Sequence, residues 1–481
     1  MYFTSVPVTP AAVCPAGPVI AIVGGGYSGA AVAWHLAQVL KDRPGRIVVF
    51  EPRAELGRGL AYSTPDPDHR LNVPDHRMTL AIEDPLHFKR WLTSEAAPLL
   101  APGSATLAGE IFAPRAVFGQ YVAAHLAPLI AAGRVVHRQS AVTRISATGA
   151  QFAVQDASGA IVTADQVVLA VSHPPPALPS ELAALRHDPA LIEDPSAPGV
   201  LAAVSPQERV LIVGSGLTAA DILCSLIRQG QRGGVQILSR HGWRSQPHGP
   251  KQAETTAEFT EGPARTALTL LRRVRKALAA DAARGLSWHA VFDRLRAQGP
   301  AIWAALPLAE RRRFLRHLRA LWDIHRFRIA PQTHDIVSRA ERAGRVEFHA
   351  ARLIGVARTP QGLLTTIRPR GSSHLAHLTV DRVILATGPA HGQVIAGNPA
   401  LASLQEQGLV QPDPLALGIA TTPQGRAIGQ AGAAVPGLFV AGPLARGTVG
   451  ELMGVPEVTA WAEHLARQLV ADLPQPAAVV G

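Results

Sequence analysis

The chain has 481 residues, 47% of them apolar and 17% charged, with a formal net charge of +11. That length accommodates two or three domains, each with its own core, and that balance excludes a disordered chain. The two cysteines, Cys14 and Cys224, form no Cys-x-x-Cys pair, which excludes a disulfide framework and a dithiol redox centre of the thioredoxin kind.

The N-terminus lacks the basic region of a secretory signal, and no segment supplies the ~18 uninterrupted apolar residues of a membrane span. A cytoplasmic protein without a membrane span is expected. The first apolar run, in "PVIAIVGGGYSGAAVAWHL" (Pro18 to Leu36), predicts a buried strand, a glycine turn and a small-residue helix. Its turn reads Gly24-x-Gly26-x-x-Gly29, with Ser28 inside it. In such a turn the first glycine permits a tight bend, the second lets a pyrophosphate approach the backbone, and the third lets helix and strand pack closely. The helix N-terminus then favours the phosphate charge. The next strand, "RIVVFE", ends in Glu51, whose carboxylate suits a ribose diol. "GYSG" fails the serine-hydrolase elbow, because Ala30 follows Gly29.

"ADQVVLAVSHPPP" (Ala164 to Pro176) predicts a strand ending in a proline-rich turn, with His173 an exposed loop residue. Pro174 to Pro206 reads as connecting surface. "RVLIVGSGLTAADIL" (Arg209 to Leu223) then repeats the first unit as Gly214-x-Gly216-x-x-Ala219, with Thr218 inside the turn. Two such units imply two dinucleotides. The following strand, "GVQILSR", ends in Ser239-Arg240 rather than an acid. A carboxylate there would repel a 2′-phosphate, whereas a guanidinium can hold it, so the second cofactor is expected to be NADPH. Arg232 or Arg244 offers an alternative anchor.

From Ala264 to Arg328 the pattern turns helical, and fifteen Lys or Arg stand against Asp281, Asp293, Glu310 and Asp323. One segment therefore carries the equivalent of the whole net charge. It predicts a cap with aromatics inward and solvated arginines, not a nucleic-acid surface. Its first helix should bury Leu268, Leu271, Val274 and Leu278, Ser287 should cap the second, and "LPLAERRRFLRHLRALWDIHRFR" reads as one further helix. Strands return with "RVEFHAARLIGVART", "LLTTIRP" and "LTVDRVILATG". The C-terminal "GLFVAGPLARGTVGELMGVPEVTAWAEHLARQLV" reads as strand, turn and helix, and "PQPAAVVG" as a frayed tail. The nineteen histidines make no metal-ligand cluster, so no metal is expected.

"GRGLAYSTPDPDHRLNVP" (Gly57 to Pro74), "LWDIHRFRIAP" and "GLFVAGPLARG" resemble the FAD–NAD(P)-binding family of bacterial flavoprotein oxidoreductases. More distantly the layout is similar to flavin-dependent monooxygenases and pyridine-nucleotide disulfide reductases. The resemblance implies FAD at the first fingerprint. It makes "VILATG", with Gly388, the return crossover, and "LFVAGP" the strand under the flavin; Gly442-Pro443 stands where relatives often have Gly-Asp. Asn72 either hydrogen-bonds flavin or nicotinamide or caps the turn before Pro74. His325 to Arg328 would reach the interdomain cleft.

The expected fold is α/β, with two Rossmann-like dinucleotide-binding domains. An FAD-binding domain (1–205 and 376–481) is interrupted by an NAD(P)-binding domain (206–375) that carries the helical insert (264–328). The expected function is an FAD-dependent, NADPH-fed, monooxygenase-like oxidoreductase acting on a small molecule. The alternative is a non-catalytic flavin/NADPH redox sensor whose basic insert binds a partner.

Overall fold

The computed structural model describes residues 17–41, 43–100 and 103–473. Cys14 and the tail "PQPAAVVG" lie outside the described residues. Two sheets dominate. The first has six strands in the order Arg426–Ile428, Ala434–Val440, Gln166–Leu169, Val19–Val23, Arg46–Phe50 and Val135–Arg138. All of its pairings are parallel except the first. Parallel strands covered on both faces need apolar side chains on both, and Ile20, Ala21 and Ile22 are fully buried. The helix Tyr27–Leu40 lies against the C-terminal helix Val455–Ala471, its buried Ala30, Ala31 and Ala33 allowing close approach.

The second sheet has seven strands in the order Ala376–Val380, Gly362–Pro369, Val346–Thr359, Val235–Ser239, Val210–Val213, Arg382–Leu385 and Leu191–Ile192. Boundaries at 205/206 and 375/376 would cut through it. Val383–Leu385 pair in register with Leu211–Val213, and Val383 and Ile384 with Leu191 and Ile192. The sheet thus reaches from about residue 191 to 385, because "LTVDRVILATG" folds as two strands that both stay in it. A third sheet, the meander Val142–Thr148, Gln151–Asp156 and Ile161–Ala164, was not expected. In its middle strand buried residues alternate with exposed or half-buried ones, in the manner of a one-sided antiparallel strand.

The family-like loop after Glu51 braces the two units against each other. Asp66 accepts a hydrogen bond from Ser225 (2.6 Å), and Ser225 Oγ also meets His69 Nε2 at 2.9 Å. Arg228 pairs with Asp66 and Asp68, and Arg115 with Asp221 at 2.6 Å.

The insert departs from expectation in three ways. Leu268 is 51% exposed, because Ala267 and Leu270 face the core instead. Ser287 caps no helix: the helix His289–Ala297 starts at Trp288, and the Ser287 hydroxyl bonds Gln252 and His289. The long third helix breaks at Leu318 into Leu308–His317 and Arg319–Arg326. Arg312, Arg313 and Arg316 are solvated as expected, but others are not. Arg311 lies over the Trp303 ring at 5.3 Å, and Trp303 donates to Gly447 O at 2.9 Å. Arg326, whose side chain is 3% exposed, pairs with Glu451 at 2.6 Å and with Glu457 at 3.3 Å. Arg296 holds Glu457 at 2.6 Å. The "HRFR" stretch thus docks the insert onto the C-terminal part of the first unit.

Burial alone would raise the Glu457 carboxyl, but the Arg296 hydrogen bond and the Arg296 and Arg326 charges outweigh it and hold it below its ordinary value. A depressed folded pKa adds stability above the ordinary carboxylate value and loses it as pH falls through the folded one, below about pH 4. Glu457→Gln should therefore flatten the acid limb of a denaturation–pH profile. Removing one partner of a buried pair strands the other, so Arg326→Met should cost about 3–5 kcal/mol in chemical denaturation. Arg326→Met with Glu451→Leu should recover part of that. A loss near the ~0–1 kcal/mol of surface pairs would contradict this account of docking.

Candidate dinucleotide sites

Each fingerprint grows from a central strand of its sheet. Gly24 has φ +100, and a Cβ there would lie 2.6 Å from Ala170 O at the end of the neighbouring strand. Gly214 repeats this with φ +118, its Cβ meeting Ala386 O at still closer range. Both turns need the left-handed backbone that glycine adopts freely. At Gly29 a Cβ would run into Gly24 O; the matching Ala219 is buried, so the second helix stands far enough off to admit a methyl.

The two helices begin with Gly26 and Gly216 as N-caps. Neither has a side-chain cap nor an acid in its first turn. Their leading N–H groups are left without side-chain acceptors, as an anion-binding terminus requires. Nothing lies within 4 Å of a Cβ on Gly216, while one on Gly26 would sit 3.4 Å from Gly59 Cα. The residues fit a pyrophosphate at both cradles.

Glu51 is buried at the end of its strand, where its carboxylate accepts from Gly25 N–H (3.0 Å) and from Arg53 (3.1 Å). It thus secures the glycine loop as well as standing at the ribose position. Gly442, with φ +61, leaves no room for a Cβ against the Ser28 hydroxyl, so the turn after "LFVA" rests on the first fingerprint's helix. Gly388, φ +81, and Thr218 sit in open positions.

Ser239 accepts from Gly242 N–H at 3.0 Å, and Arg240 beside it is exposed. Arg352 and Arg370 are exposed close by; after burial, the charges of Arg370, Arg240 and Arg352 lower the His241 imidazole. Three cations thus gather at the strand end where a 2′-phosphate would lie. Arg244 is committed elsewhere, to Glu341 at 2.7 Å and over the Phe348 ring at 4.2 Å. Arg232 precedes the strand and belongs to its other end.

Asn72 is drawn into a polar pocket between its loop and the insert, with Arg77, His248, Asp293, Arg296 and Arg328. Its carbonyl accepts from His248 Nε2 at 3.0 Å, and burial lowers His248 to about 4, so it is neutral at pH 7. His248 carries no sequence signal, since it follows a strand in an unpatterned loop. His173 corrects the expectation of an exposed residue. Its ring stands edge-on to His391 at 4.3 Å, both of its nitrogens are buried without a partner, and burial lowers it to about 4. The two histidines belong to the two crossover turns, and orphaned polar atoms there suit a ligand lying between the units. Cys224 is buried, which pushes its thiol up and makes it inert.

Among the described residues no group of three or more His, Cys, Asp or Glu could hold a metal ion, and no helix is long and apolar enough to cross a membrane.

The architecture is that of two Rossmann-like units, each with a glycine-turn cradle at its strand ends. Residues 21–174 match the family described as FAD-NAD(P)-binding. The fold is similar to that of the reduced ornithine hydroxylase of Pseudomonas aeruginosa (TM-score 0.63, 16% identity, covering 95% of this chain and 99% of that one). It is also similar to L-lysine 6-monooxygenase of Pseudomonas syringae (0.63, 18%, 95% and 100%). A third likeness is to an ornithine N-hydroxylase of Kutzneria solved with reduced FAD, NADP+ and L-ornithine (0.60, 16%, 95% and 99%). At these identities the likeness is one of fold. No curated protein matches the sequence.

Because the space beyond Gly216 is open, Gly216→Val should fold and keep its flavin while losing most NADPH binding, measured by absorbance and by titration of NADP+. Full NADP+ affinity in that variant would displace the second site. A bond from a charged group contributes about 1.5–3 kcal/mol, so Arg240→Ala should weaken NADPH use by roughly ten- to a hundredfold. NADH use should hardly change, and equal loss of both would contradict the assignment.

Proposed function

We propose that this chain is an FAD-dependent oxidoreductase that takes its reducing equivalents from NADPH and acts, in the manner of a monooxygenase, on a small molecule. The reading is carried by one observation: two glycine-backed, uncapped helix N-termini, with Glu51 at the strand end beside the first and Ser239-Arg240 beside the second. Bound there, FAD would supply two-electron chemistry and reaction with oxygen, and NADPH the hydride.

The chain's own part is to bind, orient and exclude water. Gly24, Gly26, Ser28 and Gly29 would receive the FAD pyrophosphate, with Glu51 at the ribose and Gly442 backing the helix. Gly214, Gly216, Thr218 and Ala219 would receive that of NADPH, with Ser239 and Arg240 at the 2′-phosphate. Gly388 would mark the return crossover, and Asn72, whose backbone carbonyl accepts from His248, would face the cleft between the units. Asp293, Arg296 and Arg328 of the insert line the pocket beside Asn72, and the insert's docking through Trp303, Arg296 and Arg326 would limit the entry of water there.

Ornithine and lysine are named for the structural neighbours; for this chain the support extends to a small-molecule substrate. The sensor alternative is the weaker reading, because Arg296 and Arg326 of the insert are spent on docking it to Glu457 and Glu451 of the same chain, although Arg312, Arg313 and Arg316 stay exposed.

The purified protein should carry FAD, which NADPH should reduce at least tenfold faster than NADH does, as expected for one charge-assisted contact of about 1.5–3 kcal/mol. In air, NADPH consumption should continue and rise with a substrate from a panel of amines, ketones and acids. A protein that binds no flavin, or whose flavin is reduced once and slowly with no continuing turnover, would overturn the proposal.

A further inference from the structure

Apart from the two cradles, the structure holds a cavity of about 290 Å³ between the insert and the segment after Gly442. That is near the lower end of the roughly 300–1,000 Å³ of small-molecule sites. Leu270, Leu295, Ile302, Phe314 and Trp322, one from each of five consecutive helices, give it an apolar wall. Such a wall offers nothing to a polar chain and favours an aliphatic or aromatic one.

One end is different in chemistry. Arg446 reaches the cavity there although the residue is only 7% exposed. Among the described residues its guanidinium has one hydrogen-bond partner, the Met453 thioether at 3.0 Å, and a thioether is a weak acceptor. The carboxylates nearby are engaged. Glu451 is held by Arg326 at 2.6 Å, and Asp323 faces Arg319 at 3.5 Å. Asp413 accepts the backbone N–H groups of Leu415, Leu417 and Gly418. Burial lowers Arg446 only to about 10, so it stays cationic at neutral pH. His391 lines the same end, its Nδ1 buried without a partner. Burial, then the Arg446 charge, lower its pKa and keep it neutral.

A buried guanidinium without an anion is costly, and a carboxylate is the group that satisfies its planar fork. We propose that this cavity is the substrate chamber and that it takes an apolar monocarboxylic acid, its carboxylate on Arg446 and its tail against the insert. That it holds a substrate rests on the oxidoreductase reading above; that it binds such an acid does not. An amine is the poorer occupant, because Asp323, the carboxylate lining this end that is not in the buried Arg326 pair, already faces a cation.

The test is calorimetric titration of the flavin-loaded full-length protein with decanoate, decanol and decylamine, followed in parallel by the fluorescence of Trp303 and Trp322. Decanoate should bind about tenfold or more tightly than either other probe, as one charge-assisted contact would give. Arg446→Gln should bring decanoate down to the level of decanol, leave decanol unchanged, and be partly rescued by Arg446→Lys. Leu295→Trp, which fills the chamber, should abolish binding of both while flavin content is kept. It decides the matter, together with the three probes on the unaltered protein, if Arg446→Gln does not fold. The proposal is overturned if decylamine or decanol binds as well as decanoate, if no probe binds, or if decanoate binds only after flavin is removed. Flavin content and reduction by NADPH, measured on the same samples, report separately on the oxidoreductase reading.

Discussion

The arrangement depends on a backbone contact made twice. In the parallel part of each sheet an interior strand turns away against the carbonyl that ends its neighbour, Ala170 in one and Ala386 in the other, at a distance that admits no Cβ. Only a glycine with positive φ can take that turn. The turn fixes where the next helix begins, and so aims a row of N–H groups lacking side-chain acceptors at the space beyond the strand ends. Parallel sheets place their ligands at that edge. Two helix N-termini suited to an anion thus follow from two backbone contacts, before any charged side chain contributes.

Around these cradles the two units are held together by side chains with few alternatives. Asp66, His69 and Ser225 join the loop after Glu51 to the second fingerprint's helix, and Arg296, Arg326, Glu451 and Glu457 join the insert to the chain's last helix and the turn before it. Buried ion pairs contribute little net stability compared with an apolar core, but they penalise any other docking of the same surfaces. The cavity beside Arg446 lies where that docking brings the insert's apolar side chains against the segment after Gly442.

Much of this was legible in the sequence where one segment carries the signal. Val19–Val23, Arg46–Phe50, Val210–Val213 and Val235–Ser239 are apolar, largely β-branched runs, and for both fingerprints a glycine turn marks the helix start. What escaped was relational. A count of charges cannot tell solvated Arg312 from buried Arg326, because the difference lies in a carboxylate more than a hundred residues away. His173 looked exposed because its partner His391 belongs to the other crossover. The apolar run Arg382–Leu385 fits either sheet until its register with Val210–Val213 is known. Arg446 sits in a glycine-rich stretch that gives it no signal of its own, and only the cavity it lines sets it apart.

In the proposed reading FAD would lie at the first cradle and NADPH at the second. Amide hydrogen exchange on the flavin-loaded protein, with and without NADP+, tests it most directly. The account predicts new protection at Gly214–Ala219 and at Ser239–Gly242 when NADP+ is added, with Gly24–Gly29 already protected by the flavin. Protection by NADP+ at Gly24–Gly29, or at neither cradle, would contradict it.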